Sequence, residues 1–173
     1  LVPIAHWATA EGARLAKRVA ACGGLLGGVV VPPCYGAAVR GHLRALLQLA
    51  EQHGCPVDLH IDEADHGPAA GLDQLLHVLE RFPCSQRITC SHASSLALLD
   101  PRALERLGSR MAAQRLQVVA LPLTNGWLLN RTADATPVCR PLAPIRQLQR
   151  AGITVAVGGD NVADPWFPGG DFD

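Results

Sequence analysis

"PVDLHIDEADHGP", residues 56–68, begins as a strand and ends as a turn. Residues 56–61 form a short apolar run bounded by "GC" before and a Gly-Pro turn after, the usual length of a β-strand. His60 stands at the C-terminal end of that run. His60 and Asp62 share one side of the strand by its period of two, and Glu63 lies just past its end. Acidic stretches are ordinarily solvated, and Asp62, Asp65 and His66 read as loop or helix-start residues. An imidazole and a carboxylate three residues apart at a strand end would instead set a metal ligand beside a proton-transfer group.

Similar runs recur along the chain. Residues 1–6 ("LVPIAH"), 25–32 ("LLGGVVVP"), 87–92 ("RITCSH"), 116–123 ("LQVVALPL") and 153–160 ("ITVAVGGD") are the other strand candidates. Amphipathic helical segments separate them, at 9–24, 37–54, 69–82, 101–116 and 141–152, several closing on glycine. Strands alternating with helices, without tandem hairpin signals, predict parallel βα units in an α/β fold. "LLGGVVV" and "ITVAV" are apolar on both faces, as strands covered on both sides are. No G-x-G-x-x-G follows a strand, so a dinucleotide-binding sheet is disfavoured. His6, His60, His92 and Asp160 all end predicted strands, where (β/α)8 barrels assemble their catalytic groups. The expectation is a TIM-like barrel, incomplete at about six βα units because six strands do not close an eight-stranded wall. Residues 1–173 are therefore expected to form a single catalytic barrel domain that is a segment of a longer chain. The opening "LVPIAHWATAEG" fits that view, having neither a starting Met nor a basic leader.

Composition narrows the partners. The chain is 49% hydrophobic and 17% charged with zero formal net charge, which predicts a packed core. It also argues against nucleic acid or an anionic membrane, which call for a basic face. No uncharged apolar run reaches the ~18 residues of a membrane span. The six cysteines show no C-x-x-C spacing and read as buried thiols of a cytoplasmic protein. The expected partner is a small molecule, and the composition is compatible with a homo-oligomer.

Two histidines and an aspartate on three strands suit one divalent ion, Zn²⁺ or Fe²⁺. Such an ion lowers the pKa of a bound water toward about 7. Glu63 would then be the general acid/base. In "TCSHASS", residues 89–95, a serine nucleophile paired with His92 is the weaker reading, because no G-x-S-x-G elbow is present.

"LHIDEAD", "TCSHASS", "LPLTNGWLLNR" and "GGDNVADPWFPGG", in this order, resemble the cytosine deaminase branch of the amidohydrolase superfamily. The resemblance covers residues 1–173 as barrel strands three to eight. It implies a mononuclear metal barrel that hydrolyses cyclic amidines or amides. It further implies that His60 and Asp160 are metal ligands and that Glu63 passes a proton from the attacking water to a ring nitrogen. His92 would polarise the attacking hydroxide, Asp160 would join the proton transfer, and Trp166 would wall the substrate pocket. Three features depart from the pattern. The first-strand H-x-H pair is missing from these residues. His6 stands where that branch has a glutamine reading the pyrimidine edge, and Asn161 replaces a second aspartate. Both are candidate substrate contacts for a ring with other donors and acceptors. The H-x-E/P-C-x-x-C zinc deaminases are excluded by spacing.

These readings predict a metal-dependent aminohydrolase of a cytosine-like pyrimidine, triazine or related ring, acting by metal-bound hydroxide. Two alternatives stand beside it. One is an amidohydrolase that releases an alkylamine or opens a cyclic amide, and the other is a truncated, non-catalytic barrel.

Overall fold

The computed structural model describes residues 1–136 and 139–170. Its six strands are β1 (Val2–Pro3), β2 (Leu26–Val29), β3 (Val57–Ile61), β4 (Ile88–His92), β5 (Gln117–Ala120) and β6 (Val155–Val157). They form one sheet in chain order, each paired in parallel with the next. Helices α1 (Ala10–Ala21), α2 (Ala37–His53), α3 (Ala70–Leu79) and α4 (Pro101–Ala113) make the first four crossovers. Two short helices, α5 (Pro122–Leu128) and α6 (Ile145–Arg150), lie between β5 and β6. A doubly wound sheet reverses its strand order at a switch point, whereas this order never reverses. It is the wall of an incomplete (β/α)8 barrel.

The alternation in β3 shows how the wall is built. Val57, Leu59 and Ile61 are at most 1% exposed and join the apolar layer beneath the helices. Asp58 and His60 point to the other face and are partly exposed. Register carries His60's row across the sheet as Pro3, Val29, His60, Ser91, Val119 and Ala156. Leu43 and Leu46 of α2 and Leu72, Leu75 and Leu76 of α3 are fully buried in the outer layer. Each such leucine contributes about 1.5–3 kcal/mol of transfer free energy.

Helix ends follow their sequence signals. Thr9 caps α1 by accepting from the Gly12 amide, and Asp100 caps α4 by accepting from Arg102 and Ala103. Gly54 closes α2 at φ 66°, a left-handed conformation that suits glycine.

Three expectations are corrected. The first strand spans only two residues and passes into a 3₁₀ turn over Ile4–Ala8, so His6 sits on that turn and not at a strand end. The i, i+3 spacing of the turn buries Ile4 and Trp7 together, and the Trp7 indole donates to the Gly27 carbonyl at 3.2 Å. A strand would have sent those two side chains to opposite faces. Residues 121–123 leave the fifth strand, because Pro122 has no N–H for the ladder and starts α5 instead. Finally, β6 is an edge strand with Val157 63% exposed, so it is not covered on both faces within this chain.

Candidate functional site

His60, Glu63, His92 and Asp160 converge at the C-terminal edge of the sheet. His60 enters from the inner face of β3. His92 ends β4, and strict alternation would place it with Ile88 and Cys90 on the helix side. Its backbone instead turns left-handed, at φ 72°. Its ring is 1% exposed and packs edge-on against His60, with Nε2 3.0 Å from His60 Nδ1. Asp62 and Asp160 are also left-handed, at φ 55° and 68°. Asp and His tolerate this region better than most residues, and such strain gathers at functional sites.

The ligand atoms of His60, His92 and Asp160 all lie within 4.8 Å of one another. Two imidazole nitrogens and a carboxylate oxygen at that separation fit a borderline divalent ion such as Zn²⁺ or Fe²⁺. His92 was expected as a polarising group only, and here its ring reaches the same cluster. Glu63 Oε2 lies 3.5 Å from His92 Nε2, and its side chain is one-third exposed.

Burial shifts the titrating groups of this cluster. Burial, then the charge of Asp160, pushes the Glu63 carboxyl up to about 7. Burial, then the neighbouring His60, drives His92 down to about 3, so its ring is neutral. Asp160 is raised by burial, with His60 opposing the shift. In metal-free protein the Glu63 carboxyl should therefore be protonated below about pH 7. A divalent cation favours the carboxylate, so adding Zn²⁺ should move that titration to lower pH. Carboxyl ¹³C NMR reads both, and a Glu63 signal already titrating in the ordinary carboxylate range without metal would contradict the geometry.

Supporting contacts fix the two loops that carry the site. Asp62 is 5% exposed and accepts from the Gly71 and Leu72 amides at 2.9 and 2.8 Å, satisfying the start of α3. Its carbonyl accepts from Ser94 Oγ and the Ser95 amide, and Ser95 Oγ accepts from the Ala69 amide. The structural role expected for Asp62 holds. Asp62→Ala would leave two buried amides unpaired and should cost about 1–3 kcal/mol for each group left unsatisfied, read by urea denaturation. Ser91 Oγ donates to Asp58 Oδ1 at 2.8 Å, so the hydroxyls of Ser91, Ser94 and Ser95 are all engaged away from His92. Asp65 accepts from His66 and from the Asn130 amide at the surface, as loop residues do.

Among the described residues no hydrogen bond or ring contact ties the side chains of His6, Asn161 or Trp166 to the cluster. His6 packs edge-on against Trp7. Asn161 Nδ2 donates to Asp164 Oδ2 at 2.6 Å, and its Oδ1 accepts from Thr124. Trp166 is 69% exposed, with its backbone amide on Asp164. The aromatic stack formed in this region is instead Trp127 on Phe167, with Arg131 over the Trp127 ring.

Two site residues went unassigned in the sequence. Asp58 Oδ2 is 3.8 Å from His60 Nε2, and its place two residues before His60 was the available signal. Asn125, fully buried in α5, places Nδ2 3.0 Å from His92 Nδ1. A lone amide within "LPLTNGW" carries no periodic signal. A cavity of about 670 Å³ is lined by α4 and α6 residues including Leu104, Gly108 and Leu148. None of the four converging residues lines it, and the chemistry lies at the strand ends.

Two histidines and two carboxylates thus meet at the C-terminal edge of a parallel barrel wall. Residues 17–173 match the Amidohydrolase family, and the chain belongs to it. It is 31% identical over 161 residues to the pterin deaminase of Rhizobium rhizogenes, covering 93% of this chain and 36% of that protein. The 5-methylcytosine deaminase of Klebsiella pneumoniae liganded with 5-fluorocytosine superposes with a TM-score of 0.72 at 26% identity. That match covers 91% of this chain and 38% of the neighbour. The N-isopropylammelide isopropylaminohydrolase of Burkholderia multivorans superposes at 0.67 with 29% identity, over 92% and 37% of the two chains. The chain thus spans little more than a third of the length of these relatives.

Proposed function

We propose that these residues form the larger part of a single catalytic barrel domain in a metal-dependent aminohydrolase that deaminates a cyclic amidine or related heterocycle. The observation that carries this reading is the convergence of His60, Glu63, His92 and Asp160 at one edge of the sheet. A zinc or iron ion held by His60 and Asp160 would supply Lewis acidity and an acidified water at that edge. Glu63 takes a proton at its carboxylate and returns it to a ring nitrogen, a task suited to a carboxyl poised near neutral pH. Asp160 shares in that transfer. His92, neutral and buried, presents Nε2 to the oxygen on which negative charge develops. His6 and Asn161 read the ring edge, and the exposed Trp166 covers the ring face.

The relatives' names support a nitrogen heterocycle as substrate. A second reading, release of an alkylamine, is favoured by the 29% identity to the isopropylaminohydrolase and by His6 and Asn161. Incubation with pterin, cytosine, 5-methylcytosine and N-isopropylammelide, assayed separately for ammonia and for isopropylamine, divides the two. Ammonia from a ring amine supports deamination, amine release alone supports the second reading, and neither product from any of the four would count against both.

Among the described residues no helix is long and apolar enough to cross a membrane. The six cysteines are free thiols, of which only Cys55 and Cys90 are buried as expected, and they fit the reducing cytoplasm, the location we propose. A homo-oligomer is compatible with this surface and is tested by light scattering.

A further inference from the structure

Asn125 is a polar side chain in an otherwise closely packed part of the fold, with a relative exposure of 0%. It is fully buried in α5, where an apolar residue would pack at no cost in desolvation. Its Oδ1 is buried without a hydrogen-bond partner among the described residues. Among the described residues its Nδ2 has one partner, Nδ1 of His92, at 3.0 Å. An amide kept in the core for a single bond, with its other end unpaired, calls for an explanation beyond packing.

The bond itself supplies one. The carboxamide N–H can only donate, so the His92 Nδ1 facing it is the bare nitrogen, and the neutral ring carries its proton on Nε2. That Nε2 is the atom turned toward the cluster, 3.0 Å from His60 Nδ1 and 3.5 Å from Glu63 Oε2. We infer that Asn125 is a positioning residue that fixes His92 as the Nε2–H tautomer, making it a hydrogen-bond donor at the site and not a third metal ligand. The inference rests on the reading of His92 as a site residue but not on the identity of the substrate. With Nδ1 occupied by a donor, the ring also cannot rotate about χ2 without losing its partner. The opposite amide orientation would put Oδ1 on an Nδ1–H, bare Nε2 and hand the metal a third ligand. The two arrangements therefore assign His92 different jobs, and the tautomer decides between them.

The test is ¹⁵N-histidine NMR on the zinc-loaded protein expressed from its full reading frame, with the His92 signals assigned from a His92→Gln variant. Two-bond couplings distinguish Nε2–H from Nδ1–H directly. The expected result is Nε2–H in the wild type. In Asn125→Asp the carboxylate can only accept, so the ring should switch to a protonated Nδ1. In Asn125→Leu, of similar volume, the fold should persist while kcat falls about 10–100-fold, the usual cost of losing an outer-shell partner. KM should change little in that variant. Nδ1–H with a zinc-shifted Nε2 in the wild type would overturn the inference and make His92 a ligand. So would an unchanged tautomer in Asn125→Asp. Should that variant fail to fold, the wild-type tautomer alone decides. An Nε2–H ring in a protein without turnover would sink the functional reading and leave this inference standing.

Discussion

Glu63→Gln is expected to lower kcat by about 10²–10⁴-fold, the range that general acid–base catalysis contributes. Glutamine keeps the size and one acceptor of the side chain but cannot take up and return a proton. Burial and the Asp160 charge raise the Glu63 carboxyl to about 7 in the metal-free protein, and a bound cation would bring it back toward the carboxylate that takes up a proton. One-third exposure lets it meet a substrate at the mouth while remaining within 3.5 Å of His92. The loss should fall on kcat, with metal content unchanged, because Glu63 lies outside the ligand cluster. Asp65, two residues on, is the matched control. Its carboxylate is engaged at the surface with His66 and the Asn130 amide, so Asp65→Asn should retain near wild-type turnover. Steady-state rates of ammonia release measure both, and an undiminished kcat in Glu63→Gln would remove it from the mechanism.

His60→Ala is expected to abolish metal retention as well as turnover. His60 and Asp160 are the two described residues proposed to hold the ion, and their ligand atoms lie within 4.8 Å of each other. Removing His60 leaves Asp160 as the one proposed ligand among the described residues, because His92 is held by Asn125 as a hydrogen-bond donor. A lone carboxylate does not fix the geometry that a borderline ion requires. Metal analysis after gel filtration should therefore fall from stoichiometric in the wild type to background in the variant. Circular dichroism should show the helices intact, since His60 faces away from the helix-covered core. Full metal content in His60→Ala would place the ion elsewhere.

Much of the wall was legible because its rules are local. Alternation in residues 56–61, glycine at Gly54 and the proline-led start at Pro101 each follow from backbone chemistry. His60, Glu63, His92 and Asp160 could be picked out because strand ends in a βα barrel point to one rim. What stayed hidden depended on backbone turns and on packing. His6 was misplaced because Ile4 and Trp7 share a buried face only in a 3₁₀ turn. The aim of His92 depends on its left-handed φ, which alternation does not foretell. Asn125 owes its role to α5, a helix that replaces the end of an expected strand. The extent of the wall was read from strand count, and the described residues form six parallel strands in chain order.

The central claim is that these strand ends hold a metal-dependent hydrolytic site for a ring amine. Its most direct measurement is ammonia release from a heterocycle panel by protein stripped with chelator and then reconstituted with Zn²⁺ or Fe²⁺. The predicted result is no release after stripping and restored release with one of the two ions, lost again in Glu63→Gln. Undiminished release by protein verified as metal-free would contradict the account.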